Sequence, residues 1–223
     1  MIEHITPESK LLDENLKKEL SGIFLKLTEE VVLKAVIDMT TEKGVELAGF
    51  LTVIESLSPK ISLEMYMPDE AEQAVELDTA YLPVTGLYKD GRYAGIAFHG
   101  VPGGKEINSF VLAIYNLAGP GQEVSSRAVK MLRKLERKMN IKICVSLACH
   151  HCPKVVAACQ QIAVLSGQVE AEMIDAALYP KLVEKYKIER VPMIIVNDEE
   201  VYIGPKTIEE MTEILVKISK NKL

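Results

Sequence analysis

The sequence predicts an α/β protein made of two consecutive units of one fold, each with a mixed sheet flanked by helices. Segments with helical periodicity and segments with strand composition alternate along the whole chain. Several landmarks recur at a constant offset, which indicates an internal repeat. Of the 223 residues 48% are hydrophobic and 26% are charged, a composition that can build two cores.

The first unit comprises residues 1–118. Its first apolar residues recur at intervals of three or four, which predicts a helix, and a segment rich in Val then predicts a strand. The turn Lys89-Asp90-Gly91 separates two later strands as a hairpin. In order, the expected elements are helix 8–26, strand 30–38, helix 42–57, strand 61–66, strands 83–88 and 92–98, and helix 108–116.

The second unit comprises residues 119–223, because the run Gly119-Pro120-Gly121 interrupts any regular element. Beyond it the same order of elements returns. A basic run at residues 133–138 falls on the first helix of this unit and is interpreted as its solvated face. The expected elements are helix 123–139, strand 141–147, helix 150–165, strand 169–174, helix 178–187, strands 193–197 and 200–203, and helix 207–219.

The landmarks of the two units share an offset of 109 residues. A proline precedes an apolar strand in each unit, and a tyrosine and a glycine follow in each hairpin. The order of a helix, then β-α-β, then β-β-α is that of the thioredoxin fold. We expect the two halves to form one continuous sheet or a closely packed pair. The matched pairs are Pro83 and Pro192, Tyr93 and Tyr202, and Gly95 and Gly204.

Charge and hydropathy exclude several classes of partner. The formal net charge is −6, which argues against nucleic acid. No apolar run approaches the roughly 18–20 residues of a membrane span, and the N-terminal segment lacks the pattern of a signal peptide. Four cysteines in such a chain do not indicate a structural disulfide framework. We therefore expect a cytoplasmic protein with no membrane partner, in which a close cysteine pair is catalytic or binds metal.

Cys149 and Cys152 form such a pair between a predicted strand and a predicted helix. Unpaired backbone N–H groups at a helix N-terminus stabilise a thiolate and lower its pKa. Pro153 suits the first helical turn because it has no N–H to satisfy there. The spacing of three brings the two sulfurs within reach of a disulfide. We predict that Cys149 is the nucleophile and that Cys152 resolves the mixed disulfide.

His150, His151 and Pro192 are predicted to support this pair. Protonated imidazoles beside the thiol would lower its pKa further. Pro192 precedes an apolar strand, where thioredoxin folds place a cis-proline that faces the dithiol, and we expect it in cis. The first unit lacks a matching pair, so only the second is predicted to be redox-active. At the common offset, Cys149 aligns with Thr40 and Cys152 with Lys43.

Metal binding is the main alternative, since a C-x-x-C pair is half of many zinc sites. The adjacent His150 and His151 cannot easily converge on one tetrahedral ion. Cys144 lies within a predicted strand and Cys159 on the inner face of a predicted helix, so both are interpreted as core thiols. No G-x-G-x-x-G segment is present, so no bound flavin or nicotinamide is expected. Two histidines are interpreted as surface residues without a role: His4 and His99.

The segment from Ser146 to Val156, together with Met173-Ile174-Asp175 and Val191-Pro192, resembles the N-terminal domain of the alkyl hydroperoxide reductase flavoprotein subunit. The first unit agrees at Arg92-Tyr93-Ala94-Gly95 and along residues 104–113. The resemblance covers about residues 8–219. In that family two thioredoxin-like folds are fused, and only the second carries a dithiol.

The resemblance implies an electron relay. A thioredoxin-reductase-like flavoprotein, which holds FAD and uses NAD(P)H, would reduce the Cys149–Cys152 disulfide, and the dithiol would then reduce a two-cysteine peroxiredoxin. It also implies that Glu106 lies near the dithiol and acts in proton transfer, although an exposed glutamate near a helix N-terminus fits the sequence equally well. His151 stands where the family has asparagine, which leaves the redox potential open. Longer members continue into FAD- and NADH-binding domains, so this chain is expected to be a stand-alone relay or part of a longer flavoprotein.

Two other functions remain open at this point. A general protein disulfide oxidoreductase or isomerase with tandem thioredoxin folds would have a similar length. Such proteins typically carry a C-x-x-C in both units, whereas this chain has Thr40 and Lys43 in the first. A metal-binding module would keep its activity when Cys149 is replaced by serine.

Overall fold

The structure is a computed structural model of the chain and describes residues 2, 6–74 and 76–220. Eight strands within these residues belong to one continuous mixed sheet. The strands are β1 Val31–Val36, β2 Ile61–Tyr66, β3 Val84–Lys89, β4 Arg92–His99, β5 Met139–Val145, β6 Val169–Asp175, β7 Met193–Val196 and β8 Glu200–Ile203. Their order across the sheet is β2-β1-β3-β4-β6-β5-β7-β8.

Helices flank this sheet. They are α1 Glu14–Phe24, α2 Glu42–Ser56, α3 Ile107–Ala118, α4 Ser126–Leu132, α5 Cys152–Ser166, α6 Pro180–Tyr186 and α7 Ile208–Lys220. Three short 3-10 turns complete the described elements, at Pro68–Gln73, Gly104–Glu106 and Ala176–Leu178. None of the helices in the described part of the chain is long and apolar enough to cross a membrane.

Each half of the sheet has the same internal order. β1 and β2 pair in parallel and β3 and β4 follow antiparallel, and β5, β6, β7 and β8 repeat this arrangement. The halves join where β4 pairs in parallel with β6, from Ile96 opposite Ala171 to His99 opposite Ile174. The predicted fold class is therefore confirmed, in its continuous-sheet form. The boundary between residues 118 and 119 stays a prediction.

The landmarks of the repeat have matching backbone conformations. The Leu82–Pro83 and Val191–Pro192 peptide bonds are both cis. Gly95 and Gly204 both have positive φ, at +72° and +86°. At Gly95 a side chain would also lie 2.6 Å from the Val169 carbonyl oxygen. Glycine is therefore required where β4 passes close to β6.

Strand alternation determines which side chains reach the main core. In β5, Ile143 packs in the main hydrophobic cluster with Cys152 and Val156 of α5. The next residue, Cys144, points to the opposite face and packs in a smaller cluster with Leu182 of α6. The period of two along β5 thus places helices on both faces of the sheet.

Two predicted helices are shorter than expected. Helix 8–26 begins only at Glu14, because the Asp13 side chain accepts a hydrogen bond from the Leu16 N–H and caps the helix. Helix 123–139 spans only Ser126–Leu132. Its last turn tightens into i to i−3 hydrogen bonds at residues 134 and 135.

The basic run at 133–138 is solvated as expected, since Arg133, Lys134, Glu136 and Lys138 are exposed, but its placement on a helix was wrong. This run connects α4 to β5 and is not helical. The Arg137 guanidinium donates to the Ile218 carbonyl at 2.7 Å and so ties the segment to α7. Helix 178–187 is likewise replaced by a 3-10 turn followed by α6, which starts at Pro180.

Candidate active site

Cys149 and Cys152 form a disulfide with their Cα atoms 5.6 Å apart. The pair lies just beyond the C-terminal end of β5, and α5 begins at Cys152 itself. Cys149 is partly exposed, whereas Cys152 is fully buried. An incoming sulfur therefore reaches Cys149 first.

The start of α5 provides electrostatic support for Cys149. The Cys152 N–H donates a hydrogen bond to the Cys149 Sγ at 3.1 Å. Pro153 occupies the first turn of this 15-residue helix, where its missing N–H leaves no carbonyl without a partner. In the reduced protein, the same N–H and the helix dipole would stabilise a Cys149 thiolate.

The other residues that the sequence associates with the dithiol occupy different environments. His150 and His151 are exposed and precede α5. Pro192 is buried, and its carbonyl accepts a hydrogen bond from the Gly204 N–H at 2.9 Å, which closes the β7–β8 hairpin. Val191 packs with Cys149 against the main core.

A turn from the first unit lies against the backbone that leads to the disulfide. The Lys105 N–H donates to the Leu147 carbonyl at 2.9 Å. Gly104 has φ of +55°, and a Cβ there would lie 2.6 Å from the same carbonyl oxygen. Helix α5 packs against this turn as well. The two units thus meet two residues before Cys149.

Glu106 ends this turn and is fully buried. Its Oε2 accepts a short hydrogen bond from the Ser109 hydroxyl, and its Oε1 has no hydrogen-bond partner among the described residues. Burial raises the pKa of Glu106 to about 7, against the opposing effect of Ser109 and with a further contribution from Asp175. The alternative of an exposed glutamate is therefore excluded.

Asp175 is a second buried carboxyl group, at the C-terminal end of β6, and sequence reasoning assigned it no role. It lies opposite Val145, the last residue of β5. Its side chain accepts a hydrogen bond from the Ala177 N–H at 3.2 Å. Burial raises its pKa, while the bond from Ala177 and the charge of Lys43 act in the opposite direction. An acid directly after the apolar pair Met173-Ile174, at the end of a strand, was the available signal.

His99 is not the surface residue that the sequence suggested. It is fully buried at the end of β4, because it continues the apolar run Ile96-Ala97-Phe98 into the sheet. Its Nε2 lies 3.2 Å from Glu172 Oε2, and its Nδ1 lies 2.8 Å from the Tyr81 carbonyl oxygen. The other histidine given this interpretation, His4, lies outside the described residues.

Cys144 and Cys159 are buried free thiols, as expected. Burial raises the pKa of each to about 12, so neither forms a thiolate near neutral pH. Within the part of the chain that the structure describes, no group of three or more His, Cys, Asp or Glu side chains is placed to hold a metal ion.

Comparisons with known proteins agree with this geometry. Residues 139–216 match the family described as "Thioredoxin domain". The solved NTD_N/C domain of alkylhydroperoxide reductase AhpF from Enterococcus faecalis is 42% identical, with a TM-score of 0.86, over 92% of this chain and 99% of that chain. A protein disulfide oxidoreductase from Aeropyrum pernix, at 19% identity and a TM-score of 0.83 over 93% and 94% of the two chains, shares the fold.

A longer relative extends the comparison. The alkyl hydroperoxide reductase protein AhpF of Pseudomonas aeruginosa is 32% identical over 208 residues, which are 93% of this chain and 37% of that protein. The chain thus spans little more than a third of the length of the curated relatives that it matches. Its fold and its Cys149–Cys152 disulfide make it a thiol–disulfide oxidoreductase. The chain belongs to the family of the N-terminal domain of the alkyl hydroperoxide reductase AhpF.

Proposed function

We propose that the chain relays two electrons from a flavoprotein reductase to the disulfide of a two-cysteine peroxiredoxin. The observation that carries this proposal is the difference in exposure between the two sulfurs. Cys149 is accessible and accepts a helix N–H, whereas Cys152 is fully buried. The relatives from Pseudomonas aeruginosa and Enterococcus faecalis are named as alkyl hydroperoxide reductases, which supports a peroxide-reducing system as the setting.

The relay starts with reduction of the chain's own disulfide. A thiolate of the flavoprotein attacks the Cys149 Sγ, and the bonding pair of the Cys149–Cys152 bond leaves on Cys152 as a thiolate. Because this thiolate is buried, it needs a proton, and Glu106 is the group proposed to supply it. The second thiolate of the flavoprotein then attacks its own sulfur in the mixed disulfide and releases the Cys149 thiolate. The flavoprotein is oxidised to a disulfide, and this chain gains two electrons.

The second half of the cycle reverses these roles. The Cys149 thiolate attacks one sulfur of the peroxiredoxin disulfide, and the other peroxiredoxin sulfur leaves as a thiolate. Cys152 gives its proton to the Glu106 carboxylate and attacks the Cys149 Sγ, which breaks the mixed disulfide and expels the peroxiredoxin sulfur that was bonded to Cys149. The peroxiredoxin becomes a dithiol, and the Cys149–Cys152 disulfide forms again.

A single dithiol favours a relay over a general protein disulfide oxidoreductase or isomerase. The first unit keeps the cis-proline at Pro83 but has Thr40 and Lys43 at the cysteine positions. Lys43 forms an ion pair with Glu46 of the same helix, with its Nζ 2.5 Å from the Glu46 Oε2. This unit can therefore contribute Glu106 and packing, but no thiol. FAD and NAD(P)H would belong to the flavoprotein partner.

We place the relay in the cytoplasm. Cys144 and Cys159 remain free thiols beside the one disulfide that the described residues contain. Such sparing use of disulfides is typical of a reducing compartment.

A coupled assay tests the relay. It contains NAD(P)H, a thioredoxin-reductase-like flavoprotein, this chain, a two-cysteine peroxiredoxin and an alkyl hydroperoxide. We expect nicotinamide oxidation that requires every component and disappears with Cys149→Ser. The matched control is Thr40→Ser, at the equivalent position of the first unit, which is expected to keep full activity.

Two outcomes would contradict the proposal. Efficient reduction or rearrangement of insulin disulfides, with no transfer to the peroxiredoxin, would favour the general oxidoreductase. Unchanged activity of Cys149→Ser would favour a function without thiol chemistry, such as a metal-binding module.

A further inference from the structure

We propose that Asp175 is a positioning residue that acts through Glu106, so that its carboxylate keeps Glu106 protonated until Cys152 needs the proton. This inference rests on the proton-transfer role proposed above for Glu106. It assigns a role in the reaction to a residue of the second unit that faces the turn of the first.

The two carboxyl groups lie near the same stretch of backbone, which leads from β5 to the disulfide. Asp175 lies opposite Val145 in the β5–β6 ladder, four residues before Cys149. The turn that ends at Glu106 is hydrogen-bonded to Leu147, two residues further along the same segment. The backbone of each acid is therefore held close to residues 145–147.

The loop between β4 and α3 passes directly against Asp175 and continues into the turn that ends at Glu106. Gly100 has φ of +100°, and a Cβ there would lie 3.2 Å from the Asp175 Cβ and 2.9 Å from the Leu178 Cδ1. Only a glycine allows the loop to pass this close to Asp175. Asp175 is 5% exposed and Glu106 is 0% exposed. Their interaction is weakly screened by water at this depth.

The groups around Glu106 and Asp175 act differently on the two carboxyl groups. Glu106 interacts with Ser109 and Asp175. Asp175 also interacts with the cation of Lys43. Its negative charge adds to burial in raising the pKa of the Tyr179 phenol. Burial favours protonated Glu106, whereas the Ala177 N–H and Lys43 favour ionised Asp175, so Glu106 is the group of the pair to which we assign the proton.

This arrangement suits the chemistry of a buried leaving group. When the disulfide opens, Cys152 becomes a buried thiolate, and protonated Glu106 can deliver its proton at once. Without the negative charge of Asp175, Glu106 would ionise at lower pH. If its midpoint fell by roughly 0.5 unit, the protonated fraction of Glu106 at pH 7 would drop to about half of its wild-type value, and opening of the disulfide would slow accordingly.

Asp175→Asn tests the coupling directly, since the Asn Oδ1 can still accept the hydrogen bond from the Ala177 N–H. The Glu106 carboxyl carbon is followed by ¹³C NMR as a function of pH in the full chain. We expect its titration midpoint to fall by roughly 0.5 unit or more in Asp175→Asn. The matched control is Asp90→Asn, in the β3–β4 hairpin, which changes the net charge equally and should leave the midpoint in place.

A kinetic measurement tests the role in the reaction. Dithiothreitol reduces the disulfide without any protein partner, so the rate of each variant relative to wild type can be followed from pH 5 to 9. We expect the relative rate of Asp175→Asn to be near one at low pH and to fall to about one half at pH 7 and about one third at pH 9. Asp175→Glu keeps the negative charge, so its rate relative to wild type should fall much less with rising pH.

The outcomes separate this inference from the relay itself. An unchanged Glu106 midpoint in folded Asp175→Asn would overturn it, as would a rate lowered equally at every pH. A shifted midpoint with an unchanged relative rate would overturn the role of the pair in the reaction. Failure of the peroxiredoxin assay with both effects present would instead contradict only the proposed relay.

Discussion

Replacing Glu106 with glutamine is expected to remove a pH-dependent loss of stability. Burial raises the pKa of Glu106 from 4.5 to about 7 in the folded chain. Between these values the folded state binds a proton that the unfolded state has released. The stabilisation from protonated Glu106 is thus fully present below pH 4.5 and is lost as the pH rises through 7. A shift of this size corresponds to about 3 kcal/mol.

Urea unfolding of the oxidised protein at pH 5 and at pH 8 measures this effect. Other buried carboxyl groups, such as Asp175, titrate in both proteins and largely cancel in the difference. Relative to wild type, Glu106→Gln should gain about 2–3 kcal/mol in free energy of unfolding between the two pH values. Glu14→Gln, at an exposed position on α1, is the control and should show no such gain. A difference that is independent of pH would refute the reasoning.

Three further predictions concern stability and reactivity. Gly104→Ala should destabilise the fold by about 2 kcal/mol or more in urea unfolding, because it combines positive φ with a Cβ only 2.6 Å from a backbone carbonyl oxygen. His99→Ala should lower the free energy of unfolding by about 3 kcal/mol, since it leaves the buried Glu172 without its ring partner. Alkylation of the folded, reduced protein with iodoacetamide, followed by mass spectrometry, should spare Cys144 and Cys159.

Each of these predictions has a control. Gly22→Ala lies in α1, where no described atom would come within 4 Å of the new Cβ, and it should not destabilise the protein. A second substitution, Glu172→Leu, should recover part of the loss caused by His99→Ala. Alkylation must reach all four cysteines after denaturation. Equal destabilisation by both glycine variants, no loss in His99→Ala, or rapid labelling of the core thiols would contradict the respective prediction.

The fold and the dithiol could be anticipated because they depend on local patterns. The spacing of Cys149 and Cys152 before a helix can be recognised in the sequence. The same holds for the two prolines, Pro83 and Pro192, that occupy matching positions in the two units. Each of these features fixes a local backbone geometry. No long-range packing is needed to recognise them.

The residues that sequence reasoning misjudged, left open or passed over depend on contacts between the two units. His99 is buried because β4 pairs with β6, which brings Glu172 to its ring. Glu106 is buried because its turn packs on Leu147 of the other unit. Asp175 gains its significance only beside Glu106. No local sequence pattern predicts these contacts, because they form where the two units share one sheet.

The proposal that Cys149 exchanges disulfides with a peroxiredoxin can be tested by trapping the intermediate. In Cys152→Ser the resolving thiol is absent, so attack on an oxidised two-cysteine peroxiredoxin should stop at a mixed disulfide. Peptide mass spectrometry should find this link at Cys149, and the double variant Cys149→Ser/Cys152→Ser should form none. Absence of the adduct, or an adduct through Cys144 or Cys159, would contradict the proposed exchange.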